Sequence, residues 1–127
     1  MTTRPQLLDR VEPLALVAVG GFVGATLRHA VTVSLPSSFP WGTLAANVAG
    51  CFLLGILLYE RHLADRLSVE TRLVLGTGFC SSFTTYSTFA TDTVGLGPQL
   101  AAANVAANYA LGFLAVLFGQ VVARWVS

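Results

Sequence analysis

The sequence predicts an all-α membrane protein, a single domain over residues 1–127 with four transmembrane helices, the third broken mid-membrane. Three observations carry that prediction. Hydrophobic residues fill 54% of the 127 positions and charged residues only 10%, where a soluble domain has about 25% charged. Four apolar stretches approach the roughly 20 residues that a helix needs to cross a bilayer. Inside the third lies the run "GFCSSFTTYSTF", Gly78 to Phe89. It has too many hydroxyls for a lipid-facing helix and too many rings for a soluble loop.

The first span is expected from about Pro13 to Ser34. The residues before it, "MTTRPQLLDRVEP", are polar, and no small-residue cleavage site follows the apolar stretch, so it reads as a retained span and not a signal peptide. The second runs from about Trp41 to Tyr59, the third from about Thr71 to Gly95, and the fourth from about Gln99 to Ala123. Turn chemistry separates them: "LPSSFP", the charged "ERHLADRLSVE" and "GLGPQ". Pro98 suits the first turn of the fourth helix, where its missing N–H costs nothing.

Charge excludes some classes and orients the chain. The net charge is +1 and all seven cationic side chains are arginine, with no basic patch for nucleic acid. Arg4, Arg10, Arg61, Arg66, Arg72 and Arg124 flank the spans on one side, and the two opposite loops have no Lys or Arg. The positive-inside rule then puts both termini in the cytoplasm and the chain in the cell membrane. Arg28 is the exception. It lies about 14 residues, roughly 21 Å, beyond Pro13 along a helix. It reads either as an arginine snorkelling to the far interface or as an anion-facing or assembly residue.

Small residues mark close helix packing: Gly20, Gly21, Gly24 and Ala25 in the first helix, Ala46, Gly50 and Gly55 in the second, Gly112 and Gly119 in the fourth. Cys51 and Cys80 have no metal-ligand spacing and read as small core residues. Asn47 lies mid-span in the second helix, and Asn104 and Asn108 share a face of the fourth. An amide in hydrocarbon is costly unless bonded. These side chains therefore either join helices or line a polar path.

The hydroxyl run is poor helix material, because Ser and Thr bond to nearby backbone and open a helix. A break is expected near Ser81 to Thr84. Backbone outside a helix survives at membrane depth only when buried in protein or lining water. Its freed carbonyls suit a dehydrated cation. After the break, Tyr86 and Phe89 share a face beside the hydroxyls of Ser87 and Thr88. Ring edges are positive and the Asn47 amide donates, so the stretch offers partners to a small anion as well; the alternative is a plain helix kink whose hydroxyls bond to their own backbone.

Four stretches, in order, resemble the CrcB/Fluc family of fluoride channels: "GGFVGATLRH", "PWGTLAANVAGCFLLG", "GFCSSFTTYSTF" and "NVAAN". The resemblance covers nearly the whole chain. It implies a channel that passively exports cytoplasmic fluoride, and no enzyme. It also implies an antiparallel, dual-topology dimer with two pores and a central structural sodium ion at the interface. By that resemblance the backbone carbonyls of Ser81 and Thr84 bind Na+. Asn47, Tyr86, Phe89, Ser87, Thr88 and Asn108 line the fluoride pore, and Arg28 and Asp92 hold structural or vestibule positions.

The chain departs from the family pattern at three places. Ser81–Ser82 replaces Gly-Gly, which would strain a break that used positive φ. Tyr86 replaces the first Phe, and His29 replaces a Tyr after the arginine. The arginine asymmetry sits poorly with insertion in both orientations, so the second subunit is either a copy of this chain or an oppositely oriented paralogue. Rival readings are a small four-helix multidrug-type transporter, which wants a membrane carboxylate and finds only Asp92 within a span, and a non-transporting assembly subunit. Neither His29 nor His62 has an evident partner nucleophile, which leaves an enzyme without support.

Overall fold

A computed structural model describes residues 4–59 and 67–126. Arg61, Arg66 and His62 lie outside the described residues. The chain is all helical, a four-helix bundle whose third helix is broken. Helix α1 is Arg4–Ser34 and α2 is Trp41–Leu57. The third helix has two parts. Its first part, α3, runs without interruption through an α-turn at Val69–Arg72, π-helix at Leu73–Cys80 and a last α-turn at Ser81–Phe83. Its second part, α4, is Ser87–Val94, and α5 is Pro98–Val126.

Local chemistry sets several of these limits. Helix α1 starts earlier than expected and passes through Pro13, so the proline interrupts one main-chain bond without ending the helix. Ser68 caps α3: its hydroxyl accepts the Thr71 N–H at 3.1 Å, and Glu70 stands in the first turn, where the helix dipole favours an acid. This cap brings the helix start forward to Val69. Pro98 opens α5 as its sequence position predicts. Helix α2 stops at Leu57, two residues short of Tyr59.

Two segments, Asp9–Ser34 and Pro98–Val126, are long and apolar enough to cross a membrane, and most of their residues are not buried. Trp41–Leu57 is apolar and shorter. Large apolar side chains such as Phe22, Phe113, Leu114 and Phe118 face outward, as in a protein bathed in lipid.

Helix α1 packs chiefly on the π-helical stretch of α3, and α2 chiefly on α5. Both crossings are backbone-on-backbone. A Cβ on Gly78 would stand 2.6 Å from the Val17 carbonyl oxygen and 3.0 Å from the Gly20 Cα. A Cβ on Gly24 would meet the Phe79 carbonyl, and one on Gly119 the Phe52 carbonyl. Close approach of this kind replaces the hydrophobic drive that lipid does not supply. The π-turns, with their wider i→i+5 bonding, lie where α1 presses on α3.

The break falls slightly later than predicted. Ser81 keeps helical angles, φ −66° and ψ −27°. The chain leaves the helix at Thr84, φ −81° and ψ 157°. No non-glycine residue has positive φ among the described residues, so serine in place of glycine at 81 and 82 carries no such strain.

Gly78→Val is expected to be destabilising, since both neighbours it would strike are main chain. Overpacking of this kind costs about 1–3 kcal/mol or more. Thermal unfolding of the purified protein in detergent checks it, and an unchanged Tm would show that α1 and α3 can part without penalty.

Candidate functional site

A broken helix exposes peptide groups that need partners. At the break, Asn47 meets that need for Thr85 with both ends of its amide. The Thr85 N–H donates to Asn47 Oδ1 at 2.8 Å, and Asn47 Nδ2 donates to the Thr85 carbonyl at 3.1 Å. Nδ2 also donates to Asn108 Oδ1 at 3.1 Å. Both amide protons of Asn47 are therefore engaged. Thr85 in turn caps α4: its Oγ1 accepts the Thr88 N–H at 3.2 Å and donates to Thr88 Oγ1 at 3.1 Å.

The other hydroxyls mostly turn back on their own helix. Thr84 Oγ1 donates to the Cys80 carbonyl at 2.8 Å, and Ser81 Oγ donates to the carbonyl of Thr77. Gly50 leaves room for the Thr84 methyl, which seats the end of α3 directly on α2. Among the described residues no N–H or hydroxyl donates to the carbonyls of Ser81 or Thr84.

These residues surround a groove of about 810 Å³ between α1, α2, the break and α5. Arg28, Asn47, Ser81, Thr84, Tyr86, Ser87, Phe89 and Asn108 all line it. Residues from four separate stretches of sequence thus converge on one place. The Arg28 guanidinium has no hydrogen-bond or ion-pair partner among the described residues. Phe89 is 8% exposed and Tyr86 is 73% exposed. Their ring centroids stand 5.8 Å apart, tilted at 50°. A third ring, Tyr109, meets Phe89 edge-on at 6.2 Å. Sequence reasoning passed over Tyr109, which stands alone among small residues of α5.

Thr88 and Asp92 lie elsewhere. They line a smaller cavity of about 380 Å³ with Thr32, Ser37, Thr43 and Thr91. Asp92 Oδ2 accepts a hydrogen bond from Thr43 Oγ1 at 2.9 Å, and Thr43 is itself buried. No local pattern pairs these two, since 49 positions separate them. Cys51 lines the large groove and Cys80 is buried.

No group of three His, Cys, Asp or Glu side chains gathers to hold a metal among the described residues. A cation bound here would rest on main-chain oxygen. The freed carbonyls of Ser81 and Thr84 are of that type, a donor set that suits a hard cation. One chain supplies too few of them to replace a hydration shell.

The clamp gives a ranked prediction. Asn47→Leu leaves the Thr85 N–H and carbonyl unpaired, at about 1–3 kcal/mol for each buried group. Thr85→Val loses only a cap, about 0.5–2 kcal/mol. Thermal unfolding should show the larger fall in Tm for Asn47→Leu, and the opposite order would deny Asn47 its hold on the break.

Comparison with known proteins places this geometry. Residues 15–120 match the family model described as CrcB-like protein, Camphor Resistance (CrcB). The chain is 59% identical over 114 residues to the fluoride-specific ion channel FluC 1 of Natronomonas pharaonis, covering 90% of this chain and 96% of that one. It is 56% identical to the fluoride-specific ion channel FluC 2 of Halobacterium salinarum, covering 86% and 84%. It is 52% identical to FluC 1 of Haloarcula marismortui, covering 92% and 90%.

Proposed function

The chain belongs to the CrcB/Fluc family of fluoride channels, and from that premise we propose that it forms a membrane pore through which fluoride leaves the cytoplasm passively. Family members are passive ion channels and not enzymes. The observation that carries the proposal is the convergence of Arg28, Asn47, Tyr86, Ser87, Phe89 and Asn108 on one groove at the helix break. Fluoride that enters acid-stressed cells as neutral HF dissociates inside and is trapped as the anion. A pore returns it down its gradient without an energy source.

The groove's chemistry supports a small anion. A dehydrated anion needs donors, because an unpaired buried charge is prohibitive. The Arg28 guanidinium draws an anion in, the Ser87 hydroxyl can donate, and the tilted edges of Tyr86 and Phe89 carry positive potential. Asn47 acts first by holding the Thr85 peptide. One of its amide protons reaches fluoride only by releasing the Thr85 carbonyl or Asn108 Oδ1. Thr88 and Asp92 stand at the neighbouring cavity and would serve as a vestibule.

The working unit of this proposal is an antiparallel dimer with two pores. The groove opens outward, with Tyr86 largely exposed and the carbonyls of Ser81 and Thr84 free. A second subunit crossing at the same break would close the groove and bring two more such carbonyls. Together they would hold a sodium ion, which would neutralise the carbonyl dipoles at the crossing. All four helices would span the membrane, with both termini in the cytoplasm in the orientation that the arginines favour. That asymmetry also supports a second reading of the partner, an oppositely oriented paralogue in place of a second copy. A multidrug-type carrier would need its one span carboxylate free, and Asp92 is bonded to Thr43.

Fluoride efflux from liposomes containing this chain, with chloride efflux in parallel, is the test. Fluoride release without chloride is expected, and Phe89→Ile should abolish most of it while the assembly persists. Asn47→Ala should slow it by about 10- to 100-fold, the equivalent of about 1.5–3 kcal/mol for a bond to a charged group. Release restored only by adding an oppositely biased paralogue would identify the heterodimer. Silence in both settings would sink the channel reading.

A further inference from the structure

Asn104 is the most deeply buried large polar side chain among the described residues, 1% exposed. It does not line the groove, so it is not placed to touch a permeating ion. Its Nδ2 donates to Thr93 Oγ1 at 2.9 Å. Thr93 Oγ1 in turn donates to the Phe89 carbonyl at 2.7 Å. On its other side, Asn104 receives Asn108 Nδ2 at its main-chain carbonyl, 2.9 Å, and at Oδ1, 3.0 Å. Asn108 Oδ1 accepts from Asn47, and Asn47 holds the Thr85 peptide.

These bonds form one continuous chain: Thr85, Asn47, Asn108, Asn104, Thr93, Phe89. Its two ends are the two ends of the short segment that carries Tyr86 and Phe89. The segment follows a break, so its own helix does not fix where it points. A threonine hydroxyl returned to the carbonyl four residues back also bends a helix, and the Asn104 amide orients that hydroxyl. Asn104, at the middle of the chain, is buried away from water, and a satisfied buried polar network of this kind rigidifies what it joins.

We infer that Asn104 is a positioning residue for anion discrimination: acting through Thr93, it fixes the Phe89 ring against Tyr86. The inference rests on the fluoride-channel reading for its consequence. A small anion and a larger one differ in how closely the ring edges and hydroxyls must approach. Slack in the segment therefore affects selectivity before it affects assembly. Asn104 sets the placement of the rings without touching the ion.

The test is a double-mutant cycle on the ratio of fluoride to chloride efflux, using Asn104→Leu, Thr93→Val and the pair together in the full-length chain. Each single change is expected to lower the ratio by a similar factor, and the pair to lower it no further. A folded, assembled Thr93→Val protein with the wild-type ratio would overturn the inference, as would factors that multiply in the pair. Thr93→Val keeps the volume of the side chain, so the test survives a failure of Asn104→Leu to fold. If the wild-type chain carries no fluoride either alone or with an oppositely biased paralogue, the channel reading itself fails. The linkage is then decided by Tm: a shift in the pair equal to the larger single shift upholds it, and additive shifts refute it.

Discussion

The structure depends on one satisfied peptide. At Thr85 the third helix gives up its own hydrogen bonding, and the Thr85 N–H and carbonyl turn to a side chain instead. In hydrocarbon each orphan group costs several kcal/mol, so a break of this kind exists only where a partner stands ready. Asn47 is that partner for both groups. A single amide on α2, itself braced by Asn108 on α5, makes the break a defined conformation.

The backbone crossings supply the other half of the constraint. Gly20, Gly24 and Gly78 let α1 and α3 touch main chain to main chain, which brings Arg28 to the same groove as the break. Gly55 and Gly119 do the same for α2 and α5, which sets Asn47 within reach of Asn108. The glycines fix distances between helices, and the amides then convert those distances into hydrogen bonds. The π-helical stretch belongs to this arrangement. It lies where α1 presses closest and leads directly into the last turn before the break.

Much of this was legible in the sequence, for identifiable reasons. Hydroxyl density in "GFCSSFTTYSTF" announced a break because side-chain oxygens compete locally for backbone. Its position was legible only to within a turn. The exit at Thr84 depends on Asn47, which holds the next residue, Thr85, from 38 positions away in sequence, and no local propensity encodes that distance. The spacing of Asn104 and Asn108 gave their shared face, but not that one would be sealed in the interior while the other lined the groove. The π-turns were invisible because they answer to α1. The Thr43–Asp92 bond and the Tyr109 ring were missed for the same reason: each has meaning only through a neighbour from another helix. Pro13 misled in another way: the first span was expected to begin there, and α1 passes through it from Arg4.

The open side of the groove carries the last step. A surface holding the Arg28 guanidinium, the carbonyls of Ser81 and Thr84, and an exposed Tyr86 is poorly suited to acyl chains, which offer no hydrogen bonds. Water or protein must cover it. Water alone would leave the ring edges facing bulk solvent, where an anion keeps its hydration and gains little from them. A second subunit across the break would exclude that water and give the carbonyls company around a cation. It would also leave a narrow path beside the rings, where donors count for more because the surroundings are less polar. The same features that make the single chain look unfinished are the ones a selective pore requires at its centre. In the proposed dimer, discrimination between anions would depend on how firmly the amide chain holds the rings against that second surface.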